Sequence, residues 1–233
     1  RVLFRSSTLQ RRGVSPSKTE MTIVGIDISG SMSGWPWIYQ GALISAFMAH
    51  RFSKQSYLKR IFVIIPFSDY LSHPIVINHE DDLYEFILNF REKIPHGGGG
   101  THIMGFFQGA FKLMMSRKDD LAKSNILLFS DGMDHVNYDY LVAMRSKLPE
   151  VDFQVSFVGL GVGNRDLKRF AEESPSLGFG QGFYHFFSKD EILASLHSKG
   201  WPDVHHSAEN NHHATIPVLP SNPSQSGTVH DVG

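Results

Sequence analysis

The chain has no cysteine among its 233 residues, so disulfide bridges and thiolate-bound metals are excluded. That absence suits a cytoplasmic protein, which is the expected compartment. No apolar run approaches the roughly 20 residues that a membrane-spanning helix needs. Neither charge is in useful excess: the formal net charge is −1, which argues against a broad nucleic-acid or anionic-membrane footprint. Several enzyme motifs are missing as well. There is no Walker-type Gly-x-x-x-x-Gly-Lys-Ser/Thr loop. No Gly-x-Ser-x-Gly elbow exists, because Met32 holds the centre of Gly30–Gly34. Gly159-Leu160-Gly161-Val162-Gly163-Asn164 approaches a dinucleotide fingerprint, but it ends on Asn164 and follows a late strand rather than the first. No internal repeat is evident.

What is present reads as one α/β domain with a sizeable core, since 41% of the residues are hydrophobic. Met21–Ser29 reads as a first strand and Ile38–Phe52 as a buried helix. Arg60–Phe67 is a continuous apolar strand, the pattern expected when both faces of a sheet are covered. Leu71–Ile77 contains Pro74 and suits an edge strand. Asp81–Ile94 carries Leu83, Phe86, Ile87 and Phe90 at helical spacing. Ile103, Phe106, Phe107, Ala110, Phe111 and Met114 follow the i, i+3, i+4 rhythm of a second core-facing helix. Asn125–Ser130, Phe153–Val158 and Phe183–Phe187 read as further strands. Tyr138–Leu148, Asp166–Glu173 and Asp190–Lys199 read as the helices between and after them. The alternation predicts a doubly wound, mostly parallel six-stranded sheet flanked by helices, with one antiparallel edge strand.

In such sheets ligands bind beyond the carboxyl ends of the strands. Asp27-Ile28-Ser29-Gly30-Ser31 lies at such an end and gathers a carboxylate and two hydroxyls within five residues. Gly97-Gly98-Gly99-Gly100-Thr101 offers another hydroxyl on a loop, and Asp131 closes a later apolar strand. Hard oxygen donors of this kind suit a small divalent cation. A bland alternative is that Asp27 and the serines only cap the following helix.

Asp27, Ser29, Ser31, Thr101 and Asp131, in that order, resemble the metal-ion-dependent adhesion site (MIDAS) of the von Willebrand factor A (vWA) family. The resemblance covers Met21 to Trp201 and implies a vWA/Rossmann-like fold. It implies that Ser29, Ser31 and Thr101 ligate the ion directly or nearly so. Asp27 and Asp131 would then act partly through waters. The cation expected is Mg2+, or another divalent ion such as Mn2+ or Ca2+. Neutral hydroxyl ligands leave the ion electrophilic, with a position open to an Asp or Glu from a partner. The expected function is therefore cation-dependent protein binding, with no enzymatic activity. A haloacid-dehalogenase-like, magnesium-dependent phosphatase is the enzymatic rival, but it needs an acid where this chain has Ser29. The long, bulky first helix is similar to that of intracellular bacterial vWA proteins, which implies an adaptor working beside a MoxR-type AAA+ ATPase. A surface or periplasmic adhesion module is the alternative.

The remaining features are assigned more plainly. Residues 1–20 are expected to be a linker, of which Arg1–Ser6 resembles translated sequencing adapter with the native N-terminus lost upstream. Residues 21–201 form the domain, and residues 202–233, rich in His, Asn, Ser and Pro, form a disordered tail. Trp35 and Trp37 could anchor a partner, but packing of the helix start onto the core is favoured. His96, His102, Asp134 and His135 read as solvated loop residues near the site. His205, His206, His212 and His213 have no fold to orient them on a metal.

Overall fold

The computed structural model describes residues 18–53, 56–94, 97–132 and 134–198. Six strands form one sheet: β1 (Thr19–Asp27), β2 (Lys59–Phe67), β3 (Ile75–Ile77), β4 (Leu121–Ser130), β5 (Asp152–Leu160) and β6 (Gly182–Phe187). Their order is β3-β2-β1-β4-β5-β6. All neighbours run parallel except β3, which is antiparallel to β2. The helices are α1 (Trp35–Ser53), α2 (Glu80–Leu88), α3 (Phe90–Lys93), α4 (Ile103–Ser116), α5 (Tyr138–Arg145), α6 (Arg165–Glu173) and α7 (Lys189–Ser198). The doubly wound sheet with one antiparallel edge strand is the architecture expected from the sequence.

Strand β1 is the centre of the molecule. All nine of its residues are buried, because β2 and β4 flank it and helices cover both faces. Its side chains alternate between two cores. Met21 and Ile23 join α4, α5 and α6 on one face. Val24 and Ile26 join α1, α2 and Ile192 of α7 on the other. Asp27 ends the series that faces α4. Strands are added on one side of β1 as far as β3 and on the other from β4 onward, so the order switches between the parallel β1 and β4, and their carboxyl ends open the crevice in which such folds hold ligands.

Several boundaries differ from the sequence reading, each for a local reason. Strand β1 starts at Thr19, because its first two polar side chains are satisfied inside the fold. Thr19 Oγ1 donates to Asp120, and the Glu20 carboxylate is held by Arg51 and Arg60. Helix 81–94 is broken at Asn89, whose backbone (φ −109°, ψ 24°) leaves helical geometry between α2 and α3. The Leu71–Ile77 strand shortens to Ile75–Ile77, immediately after Pro74, with Leu71 making only an isolated bridge to Phe67. Helix α1 begins at Trp35, three residues before the expected Ile38, with Pro36 in its first turn. Helix α5 stops at Arg145, and Leu148 closes a tight turn onto its carbonyl. The expected tail at 202–233, most of the N-terminal linker, the end of the last helix at Lys199, and His96 lie outside the described residues.

Candidate metal centre

All five residues named from the sequence meet at the ends of β1 and β4. The Asp27 carboxylate is fully buried and accepts at both oxygens. Oδ1 takes the Ser29 backbone N–H at 2.9 Å. Oδ2 takes the Ser130 hydroxyl at 2.6 Å and that of Thr101 at 3.4 Å. The Ser29 and Ser31 hydroxyls lie 3.1 Å apart. The Ser31 hydroxyl donates to Asp131 Oδ1 at 2.8 Å. One run of hydrogen bonds thus joins Thr101, Asp27, Ser29, Ser31 and Asp131. Ser31 is exposed and Thr101 and Asp131 half-buried, so the cluster opens to solvent on one side.

The capping alternative does not describe these residues. Gly30–Met32 forms a single 3-10 turn, and Ser29 before it makes no side-chain cap bond. The helix proper starts only at Trp35. The Asp27 carboxylate instead folds the loop back on itself and reaches across to β4 and the Thr101 loop.

Close backbone approach holds the three segments together. The Gly30 N–H donates to the Gly99 carbonyl at 3.3 Å. A methyl group on Gly97 would overlap the Ile28 carbonyl oxygen, and one on Gly132 would overlap the Thr101 hydroxyl. The glycine loop is therefore seated on the motif and is more than a spacer.

The electrostatics follow from burial. Burial pushes the Asp27 carboxyl above its ordinary range, partly offset by hydrogen bonds from Ser130, Ser29 and Thr101. Burial also pushes Asp131 up; the Ser31 hydrogen bond opposes it, and the nearby Asp27 charge adds to it. Neither carboxylate forms an ion pair with Lys, Arg or His among the described residues. Two buried-side carboxylates and three hydroxyls, with no basic partner among the described residues, fit a hard divalent ion. No group of three or more His, Asp or Glu able to hold a metal occurs among the described residues. The donor set thus depends on hydroxyls.

No protein-family model matches the chain, and no curated protein sequence does. Solved structures do match. BatB from Bacteroides thetaiotaomicron superposes with a TM-score of 0.51 at 17% identity, over 78% of this chain and 97% of that one. The von Willebrand factor type A protein of Catenulispora acidiphila gives 0.50 at 15% identity, over 78% of this chain and 42% of that one. Proximal thread matrix protein 1 of the mussel byssus, with a zinc-occupied MIDAS motif, gives 0.50 at 17% identity, over 78% of this chain and 44% of that one. The chain spans less than half the length of the latter two proteins. This is the von Willebrand factor A fold.

Within this vWA fold, several residues around the centre escaped the sequence reading. Ser130 is one: strand alternation puts it on the face of Asp27 on the adjacent strand, a signal that was available. Gln40 is another. It is the only polar side chain in the buried stripe of α1, and its Nε2 donates to the Asp27 carbonyl at 3.2 Å. Asp134 is not a solvated loop residue. Its Oδ2 accepts the Ile103 N–H at 2.7 Å and so holds the start of α4 beside Thr101. Asn164, which spoils the dinucleotide pattern, caps α6 through the Leu167 N–H and donates to the carbonyls of Gly132 and Asp134. It clamps the loop that follows Asp131. His102 and His135 are exposed. The tryptophans behave as packing residues. Trp37 is buried with its ring 5.2 Å from that of Phe90, and Trp35 lies over Gly161.

Proposed function

We propose that this chain is a cation-dependent protein-binding module in which Asp27, Ser29, Ser31, Thr101 and Asp131 hold Mg2+ or a similar divalent ion. Bound there, the ion would supply an electrophilic position for an Asp or Glu of a protein partner. The observation that carries the reading is the hydrogen-bonded run through these five residues, open on one side, whose two carboxylates make no ion pair with Lys, Arg or His among the described residues. The zinc-occupied MIDAS motif of the mussel-byssus protein supports it, as a fold relative with a metal in such a motif. Ser29 stands where a phosphatase of this general topology needs a second acid, so recognition is favoured over bond-breaking. Among the described residues no helix is long and apolar enough to cross a membrane. A MoxR-type AAA+ ATPase is the partner class the family resemblance suggests. Co-purification from cells carrying such an ATPase, with and without chelator, addresses it.

Calorimetric titration with Mg2+ and Mn2+ tests the cation itself. The wild type is expected to bind and to gain thermal stability, by about 2.7 kcal/mol at a hundredfold excess over Kd. Ser31→Ala removes an exposed hydroxyl at little cost to the core and should weaken binding. Negligible heats with the wild type, or equal heats for both proteins, would sink the reading.

A further inference from the structure

The buried stripe of α1 runs Trp37, Gln40, Gly41, Ile44 and Met48, and Gln40 interrupts it with a polar group. Gln40 is 0% exposed. Its Nε2 reaches the main-chain carbonyl of Asp27, while its Oε1 has no partner among the described residues. A buried amide with an unmade acceptor is worse for stability than an apolar side chain of the same size. Stability alone therefore gives no reason for a glutamine here. The one bond its side chain makes among the described residues falls on the peptide where the chain leaves β1 for the Ser29–Ser31 turn. The other end of that residue, the Asp27 carboxylate, holds Ser29, Ser130 and Thr101.

We infer that Gln40 is a positioning residue for the cation loop: its amide fixes the Asp27 peptide against α1, so that the Asp27 carboxylate and the Ser29 hydroxyl keep their relative placement. This rests on the cation-binding reading above. Groups that hold metal ligands in place commonly matter by about 10–100-fold in affinity, and one that acts through the backbone belongs at the lower end.

The test uses the full chain, Mg2+ calorimetry and thermal melts followed by circular dichroism. Gln40→Met keeps length and volume but cannot donate. It should lower Mg2+ affinity about tenfold with little change in melting temperature. Ile44→Val, one turn along the same buried stripe, should lower the melting temperature and leave affinity unchanged. Wild-type affinity in Gln40→Met would overturn the inference while leaving the cation reading intact. An equal loss of affinity in Ile44→Val would overturn it too, as a general effect of loosening α1. If Gln40→Met does not fold, Gln40→Leu is measured in the same way; loss of fold in both makes Gln40 a determinant of folding and overturns the inference. No Mg2+ binding by the wild type removes the cation reading and this inference together.

Discussion

At the scale of single residues, the centre depends on side chains that hold the motif as much as on the motif itself. Ser130 gives the buried Asp27 carboxylate its shortest hydrogen bond, 2.6 Å, and accepts the Gly132 N–H at 3.0 Å. Hydrogen bonds to charged groups contribute about 1.5–3 kcal/mol, so Ser130→Ala should lose about that much in urea denaturation. Ser130→Thr keeps the hydroxyl and should lose less. Gly132 makes a different demand. Any Cβ there would run into the Thr101 side chain, so Gly132→Ala must displace either Thr101 or the loop carrying Asp131. Overpacking of this kind costs about 1–3 kcal/mol. Here it should also abolish the Mg2+ heat, because it separates two of the five donors. A Gly132→Ala protein that still binds Mg2+ like the wild type would show that Thr101 is dispensable.

At the scale of elements, the loop after β4 is positioned from a distance. Asn164 lies at the start of α6, yet its side chain binds three partners: the Leu167 N–H at 2.9 Å and the carbonyls of Gly132 and Asp134 at 3.3 and 3.1 Å. Asn164→Asp keeps the cap acceptor and loses the two donations. Asn164→Ala loses all three. The expected order of stability is wild type, then Asp, then Ala, with about 1 kcal/mol from the cap alone. Chemical shifts of the Gly132 amide should move in both variants, since both release the loop. A Gly132 amide unchanged in Asn164→Asp would show that the clamp does not hold that loop. Asn164 also shows what the sequence can convey. It was readable as a departure from a glycine pattern, but not as a clamp, because its partners lie about 30 residues away and depend on the fold. The strands and α4 were legible because apolar runs and helical spacing are local properties. Thr19 and Glu20 were not, because polar residues look like linker until their partners on other strands and helices are known. The five motif residues could be named because their order along the chain is itself the signal. Gln40 could not be named, since one glutamine in an apolar stripe has no meaning until the Asp27 carbonyl is found beside it.

For the whole molecule, the central strand β1 carries one polar cluster at each end. Asp27 anchors the open one, and Glu20 the closed one. Glu20 joins four elements: Arg51 of α1 reaches Oε1 at 2.6 Å, Arg60 of β2 reaches Oε2 at 3.2 Å, and Asn125 of β4 donates to Oε1 at 3.0 Å. Burial alone would push the Glu20 carboxyl up. The Asn125 hydrogen bond and the Arg51 and Arg60 charges outweigh it and hold the carboxyl below its ordinary 4.5. A carboxyl lowered in the folded state stabilises the fold above its unfolded pKa. That contribution is lost as pH falls through the lower, folded pKa. Glu20→Gln leaves two partly buried guanidinium groups without their carboxylate; because solvent still reaches both, the cost at neutral pH belongs at the low end of that for breaking a buried pair, about 3 kcal/mol. The gap between wild type and variant should be constant from pH 6 to 8 and shrink once the pH drops below about 4.5. Asp27 and Asp131 have raised carboxyls and change the absolute stability in the opposite sense, but they are common to both proteins and cancel in the difference. Paired urea melts at pH 7, 5 and 3 measure that difference directly. A gap of the same size at pH 3 would mean that the Glu20 side chain stabilises by packing, and that its charge does not tie β1, β2, β4 and α1 together.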